Sequence, residues 1–178
     1  MRRYCSCGEG CVFYEGVRIV NTRGICSDIK IGNCSLINGE LLNFGHGGRI
    51  SIGNYCYIGE GSRVWAAKEV CIGDRVLISH NVNIFDNLTH PMNAARRHQQ
   101  FKEIITSGQP RDIDLGEKSI NIHDDVLIGC MSVVLRGVTI GRGAIIGAGS
   151  VVTKNVPAWT VVAGNPAVKI REIPENER

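Results

Sequence analysis

The chain has 178 residues, enough for one domain with a buried core, and its net charge of +3 gives no case for nucleic-acid binding from charge alone. Hydrophobic residues make up 43% but aromatic residues only 6%, and 22 glycines accompany the aliphatic side chains, a composition that favours short strands joined by tight turns. No apolar run is long enough to span a membrane and the first residues lack the apolar stretch of a signal peptide, so a cytoplasmic protein is expected.

Eight cysteines occur along the chain. Three of them lie near its start, but the spacing of Cys5, Cys7 and Cys11 differs from that of the usual zinc-binding pairs, and no second pair follows. No metal is therefore expected. The other cysteines are predicted to be small buried or half-buried thiols, kept reduced in a cytosolic chain; they are Cys26, Cys34, Cys56, Cys71 and Cys130.

Residues 1–18 are predicted to be a lead-in, and from Ile19 onward aliphatic residues recur at every sixth position. The register shifts around the glycine-rich stretch 45–48, and two extra residues interrupt it at 65–68. The upstream register residues fall into three series, which are Ile19, Ile25, Ile31 and Ile37, then Ile52, Ile58, Val64 and Val70, and finally Ile72, Ile78 and Ile84.

A period of six fits neither a helix face nor an alternating strand. It fits one flat side of a triangular prism with about eighteen residues per coil, in which each register residue points inward and stacks on its equivalents in the neighbouring coils. Glycine, asparagine and aspartate near the corners tolerate the backbone angles of sharp turns. The sequence therefore predicts an all-β fold, a parallel β-helix over residues 19–157.

Residues 85–119 carry no repeat and are predicted to be a long loop pushed out of the prism, which for a loop of this length is usually a sign of function. His90, followed by Pro91, lies near the start of the loop. Histidine is the side chain best suited to proton transfer near neutral pH, and Asp86 is close enough in sequence to orient the ring or to stabilise an imidazolium. From the residues alone, an exposed loop histidine without a role is an equally good interpretation.

The repeat resumes beyond the loop, and glycine often follows the register residue. Residues 158–178 then leave the repeat as a C-terminal extension that contains Lys169 and Arg171. The downstream register residues are Ile122, Ile128, Val134, Ile140, Ile146 and Val152. Small or β-branched residues stand four places after them, namely Val126, Ser132, Val138, Ala144, Ser150 and Val156.

From about residue 52 to residue 171 the chain resembles the sugar O-acetyltransferases of the hexapeptide-repeat family, which include the maltose and galactoside acetyltransferases and the acetyltransferases of surface-polysaccharide clusters. Three segments carry the resemblance: His90-Pro91 with Arg96-Arg97 after it, the stretch 141–154 (GRGAIIGAGSVVTK), and Gly164-Asn165-Pro166-Ala167. The resemblance implies a left-handed parallel β-helix, an exception to the right-handed rule for parallel connections.

The resemblance also implies an enzyme that transfers acetyl from acetyl-CoA to a hydroxyl, with His90 as the general base and no metal. Asn83 and Asn87 are candidates to bind the acceptor. His80 is the weaker candidate for that pocket, because its position also fits a side-facing residue without a role. The positions that match the family's CoA contacts are Cys130 and Ala148 along the pantetheine arm, Thr153 and Lys154 at the nucleotide end, and Arg171 at the phosphates.

The chain departs from the family's pattern at Leu127, His123 and Glu60, so the acceptor is not assigned. A xenobiotic acetyltransferase and a serine O-acetyltransferase-like enzyme remain alternatives, although residues 1–50 already show the repeat rather than a helical domain. A non-catalytic β-helix scaffold is a further alternative. The spacing of the five histidines does not match the three zinc ligands of a β-helix carbonic anhydrase.

The flat faces of a prism favour close association, and transferases of this shape place CoA between neighbouring prisms. A cyclic homotrimer with active sites at the subunit interfaces is therefore expected.

Overall fold

The structure, a computed structural model, describes residues 4–178. Residues 1–3, which belong to the predicted lead-in and to the segment judged to lack a signal peptide, lie outside the described residues. The strands in chain order are β1 (Ser6–Cys7), β2 (Val12–Phe13), β3 (Arg18–Asn21), β4 (Ile29–Ile31), β5 (Leu36–Ile37), β6 (Glu40–Asn43), β7 (Arg49–Ile52), β8 (Tyr57–Ile58), β9 (Arg63–Ala66), β10 (Glu69–Ile72), β11 (Leu77–Ile78), β12 (Asn83–Phe85), β13 (Ile120–Ile122), β14 (Leu127–Ile128), β15 (Val133–Leu135), β16 (Thr139–Ile140), β17 (Ile145–Ile146), β18 (Val151–Val152), β19 (Thr160–Ala163) and β20 (Val168–Glu172).

The strands form three sheets that the chain visits in turn, so that up to β18 every third strand belongs to the same sheet. The first sheet has the order β1-β4-β7-β10-β13-β16, the second β2-β5-β8-β11-β14-β17-β19-β20, and the third β3-β6-β9-β12-β15-β18. Neighbouring strands are parallel throughout, except that β20 runs antiparallel to β19. Three parallel sheets wound in this way are the faces of the predicted prism.

The core is the inside of the prism, where the downstream register residues are all buried in one cluster. The residues four places further on are buried as well, because each fills a corner of the same coil. Ile128, for example, pairs with Ile78 on one side and Ile146 on the other, in the expected stack. The six-residue register is thus confirmed downstream of the loop and from Ile31 to Ile84, apart from the inserts at the edge described below.

The register is wrong at Ile25, which is 44% exposed. Ile25 lies in a turn after β3 and directly before a short 3-10 helix, Cys26–Asp28, and Ile29 takes the inward place instead. The ladders also start earlier than the predicted boundary at residue 19, because β1 pairs with β4 and β2 with β5. The inserts between successive coils differ in length, so each insert shifts the inward positions of the next coil. The sequence of an insert has no period of six from which this shift can be predicted.

The residues that do not fit a regular coil leave the prism at one edge, where the third sheet meets the first sheet of the next coil. Ile72 pairs with Ile122, so the whole extruded segment fits between two adjacent coils. We call this edge the loop edge; it comprises residues 22–28, 44–48, 67–68 and 86–119.

The extruded segment is not a structureless loop, because it contains a helix, α1 (Ala94–Ser107). Asn93 caps the helix by accepting a hydrogen bond from the amide of Arg96, and Gly108 ends it with a positive φ of 91°. Within α1 only Gln100 is buried. A helix that lies almost wholly in water carries no clear apolar stripe, which is why the sequence pattern did not predict it.

Two cysteines lie in the core, and their thiols are harder to deprotonate than a free cysteine. Burial raises the pKa of the Cys56 thiol, and burial together with the nearby Cys7 raises that of Cys5 to about 11. Cys34 differs from its prediction because it is exposed, at a turn with positive φ. Within residues 4–178 no group of three or more His, Cys, Asp or Glu side chains is arranged to hold a metal ion. No helix among these residues is long and apolar enough to cross a membrane.

Replacing Ile128 by alanine should remove a side chain that stacks between two coils. We expect the free energy of unfolding to fall by roughly 2–5 kcal/mol, measured by urea denaturation. Ile25→Ala, the exposed position of the same predicted repeat, is the matched control and should change stability by less than about 0.5 kcal/mol. Equal losses in both variants would contradict the inward assignment.

Candidate active site

Asp86 begins the extruded segment, and its side chain is fully buried. Its carboxylate accepts hydrogen bonds from the amides of Ala67, Lys68 and Glu69 at 2.8, 2.8 and 2.7 Å, all from the bulge of the preceding coil. The side-chain amide of Asn87 donates to the same carboxylate at 2.9 Å. The expectation that Asp86 orients His90 is therefore corrected, because the Asp86 carboxylate accepts hydrogen bonds from the edge of the preceding coil and from Asn87 instead.

The base of the extruded segment is closed by backbone hydrogen bonds. The Lys118 amide donates to the Asp86 carbonyl at 2.8 Å, and the Leu88 amide donates to the Leu115 carbonyl at 3.0 Å. Asn87 is buried, and its Oδ1 accepts from the Thr89 amide at 2.7 Å. Since Nδ2 and Oδ1 of Asn87 both form hydrogen bonds within the turn, the residue shapes the turn, and it does not line the cavity beside His90.

His90 itself is exposed, and its ring is held from one side by Gln100, the buried residue in the middle of α1. Its Nδ1 lies 2.8 Å from Oε1 of Gln100, whose Nε2 donates to the Thr89 carbonyl at 3.3 Å. Because that second bond fixes which end of the Gln100 amide is the oxygen, the neutral ring carries its proton on Nδ1 and donates it to Oε1. Nε2 is left with a lone pair, as a general base requires.

Gln100 is a candidate site residue that the sequence did not reveal. It is 2% exposed, lies ten residues after His90 and sits in a polar run without periodic signal. Gln100 contacts the His90 ring only because α1 folds back over the start of the extruded segment.

A cavity of about 450 Å³ opens beside His90 at the loop edge. Its apolar wall comes from Leu42, Phe44 and Trp65, and Trp65 is fixed by donating from Nε1 to Glu40 at 2.8 Å. An apolar wall with a few convergent polar groups is the usual anatomy of a small-molecule site. The remaining lining residues are Thr22, Gly45, Thr89, Gln109 and Arg111.

Asn83 and His80 lie away from this cavity. Asn83 is on the outer face of the third sheet, where it pairs with Arg63 and Val133, and its side chain donates only a long bond of 3.4 Å to the Asn81 carbonyl. His80 is exposed at a different edge, with Nε2 3.4 Å from the Tyr57 hydroxyl. Within one chain, neither residue lines the His90 cavity.

Cys130 and Ala148 are brought together on the edge between the second and third sheets, one coil apart. The Gly149 amide donates to the Cys130 carbonyl at 2.8 Å, which locks the two turns in register. Glycine is required at position 129, because a Cβ there would lie 2.6 Å from the Ala148 amide nitrogen. We call the stacked turns 129–131 and 147–149 the Cys130 edge.

Thr153 and Lys154 line a shallow groove of about 290 Å³ near the C-terminal end of the prism. Lys169 on β20 shares this groove, whereas Arg171 does not. Arg171 instead approaches Glu177 at 3.7 Å. The ladder explains the difference, because a bulge between Val161 and Val162 shifts the register of β20.

The comparisons with known proteins agree with this architecture. A family model described as "Bacterial transferase hexapeptide (six repeats)" matches residues 119–154. A Schizosaccharomyces pombe protein named as a candidate acetyltransferase, C18B11.09c, is 43% identical over 108 residues, which is 61% of this chain and 45% of that protein. The chain thus spans less than half the length of this relative.

Two solved structures are similar over most of the chain. AntD, an N-acyltransferase from Bacillus cereus in complex with dTDP and 3-hydroxybutyryl-CoA, gives a TM-score of 0.75 at 19% identity, covering 97% of this chain and 86% of AntD. A maltose O-acetyltransferase from Clostridium difficile 630 gives 0.54 at 27% identity, covering 93% and 67%. The predicted left-handed parallel β-helix and the resemblance to hexapeptide-repeat acetyltransferases are confirmed.

Replacing Gln100 by leucine should leave Nδ1 of His90 without its acceptor. In wild-type protein we expect the neutral ring to be protonated on Nδ1 alone, and in Gln100→Leu to exchange between both tautomers, as read from imidazole ¹⁵N chemical shifts. Gln99→Leu, the exposed neighbour on α1, is the control. A wild-type ring protonated on Nε2 would overturn the assignment.

Proposed function

We propose that this chain is an O-acetyltransferase that moves an acetyl group from acetyl-CoA to a hydroxyl of a sugar or polysaccharide precursor. The observation that carries the proposal is the arrangement of His90, with Nδ1 held by Gln100 and Nε2 free beside a cavity of small-molecule size. The similarity to acetyltransferases over the repeat supports the same class. Since acetyl-CoA is a cytoplasmic donor, a cytoplasmic location goes with the proposal.

The chemistry needs one base and no covalent enzyme intermediate. Nε2 of His90 takes the proton of the acceptor hydroxyl while its oxygen attacks the thioester carbonyl. The tetrahedral intermediate collapses with cleavage of the carbon–sulfur bond, and His90 returns the proton to the CoA thiolate. The hydrogen bond from Nδ1 to Gln100 keeps the ring in one orientation through both transfers. Neither a serine nor Cys130 has to act as nucleophile.

The CoA site is proposed along the C-terminal coils. The Cys130 edge, with Cys130 and Ala148, offers backbone groups to the pantetheine arm, and Thr153 and Lys154 lie at the nucleotide end. Lys169 shares the groove with them, so we assign it the phosphate contact that the resemblance gave to Arg171. Asn83, on the outer face of the third sheet, remains a candidate for acceptor binding only from a neighbouring chain.

A homotrimer would complete this site. The extruded segment and the Cys130 edge lie on different edges of one prism, so the loop of one chain can meet the Cys130 edge of the next. The outer face of the second sheet also carries an apolar stripe, which is typical of an interface. The stripe consists of Val12, Leu36, Tyr57, Leu77, Leu127, Ile145 and Val161, which are paired across successive coils.

His90→Ala should abolish proton transfer without disturbing CoA binding. We expect turnover to fall by roughly 100-fold or more, measured as thiol release from acetyl-CoA with a panel of neutral, amino and acidic sugars. His123→Ala, an exposed histidine at the edge between the first and second sheets, is the control and should keep full activity. Unchanged activity of His90→Ala would remove His90 from the mechanism, and transfer to amino sugars alone would make the enzyme an N-acyltransferase.

Calorimetry with acetyl-CoA separates the enzyme from the scaffold alternative. We expect binding in wild-type protein that weakens about tenfold in Lys154→Ala, the loss of one charge-assisted contact. Lys30→Ala, on the outer face of the first sheet, should bind as wild type does. Absence of binding would favour a non-catalytic scaffold.

The apolar stripe predicts association in solution. Light scattering should give three times the chain mass of 19.4 kDa. Leu77→Arg, which places a charge in the middle of the stripe, should shift the mass towards the monomer. A monomeric wild-type protein at working concentration would refute the trimer.

A further inference from the structure

A second opening lies at the loop edge next to the His90 cavity. It has a volume of about 560 Å³ and is lined by basic side chains from four separate segments of the chain. We call it the basic cleft; its basic residues are Arg23, His46, Arg49, Lys68 and Arg111. No sequence pattern predicts this cleft, because its residues are brought together only by the inserts that leave the prism at this edge.

The basic cleft has more positive than negative charge. Glu117 and Asp112 are the acidic residues that line it, and Glu117 already lies 2.9 Å from Nε2 of His46. Two of the arginines have partners outside the lining, with Arg23 3.3 Å from Asp28 and Arg49 3.4 Å from Glu69.

Lys68 and Arg111 are the uncompensated cations. Among residues 4–178, neither has a carboxylate within 4.0 Å of its side-chain nitrogens. The backbone of Lys68 is held in place, since its amide donates to the buried Asp86. Lys68 and Arg111 therefore form a site in which an anion would find two cations without carboxylate partners.

The basic cleft and the His90 cavity are adjacent and share one lining residue. Arg111 lines both, and the wall between them is the turn from Phe44, which faces the cavity, to His46, which faces the cleft. These two rings pack together with centroids 5.8 Å apart. One molecule with a sugar beside His90 can therefore extend a second group into the cleft.

We propose that the acceptor carries a phosphoryl group, as a sugar phosphate or a nucleotide-linked sugar does, and that the basic cleft binds this group. Lys68 and Arg111 contact the phosphoryl oxygens, and Arg23 and Arg49 supply the surrounding positive field. Several cations converging from different segments suit the many oxygens of a phosphoryl group better than a single carboxylate. This inference rests on the proposed function, because it names the class of acceptor for the same site.

Binding of inorganic pyrophosphate tests the cleft without any catalysis. The titration is performed by calorimetry on protein saturated with CoA, so that pyrophosphate cannot bind at the proposed CoA phosphate site. We expect Lys68→Ala and Arg111→Ala each to weaken pyrophosphate binding about tenfold, and Lys102→Ala, an exposed lysine on α1, to bind as wild type does. No binding to wild-type protein, or equal binding in all variants, overturns the proposal.

Activity separates the sources of the anion. Matched acceptors are a neutral sugar, its phosphate, its nucleotide-diphosphate derivative and its uronic acid. We expect kcat/KM to be higher for the phosphorylated members and the advantage to shrink about tenfold in Arg111→Ala. Equal rates for the neutral and phosphorylated sugars, or a preference for the uronic acid, overturn the proposal. If pyrophosphate binds as expected while no acceptor is acetylated, the proposed function fails and the anion site stands.

Discussion

The structure depends on one steric constraint, that each coil must place an aliphatic side chain at the same point inside the prism. Ile78, Ile128 and Ile146 meet this condition on the second face, where each is buried and paired with the next. Strands of two to five residues have little stability alone, so the stack between coils holds them in register. Any residue that does not fit must leave at a corner, and here the surplus leaves mainly at one edge.

That edge is stabilised by the buried carboxylate of Asp86. Three amides of the 67–69 bulge converge on it, and its carbonyl accepts from Lys118 at the far end of the extruded segment. A buried carboxylate that accepts several amide bonds is well satisfied, whereas an unpaired one would be costly. Asp86 thus fixes the start of the loop, its end and the backbone of Lys68, so the His90 cavity and the basic cleft share one support.

The division of the site follows from this geometry. His90 and its cavity belong to the loop edge, whereas Cys130 and Ala148 stack on another edge of the prism. The proposed reaction therefore needs two edges, which neighbouring chains supply more readily than one chain does. Gln100 reaches His90 from α1, so the orientation of the His90 ring depends on a helix that contributes almost nothing to the core.

The sequence by itself determined the repeat, the place of the extruded segment and the position of His90, because a six-residue period and its interruption are local properties of the chain. Only the tertiary structure decided the partners of these residues. Gln100 rather than Asp86 contacts the His90 ring, Lys169 rather than Arg171 shares the groove of Lys154, and Ile25 is exposed although it fits the period. In each case an insert, a helix or a bulge changes which residues meet, and the length of such an interruption has no periodic signal from which its contacts can be predicted.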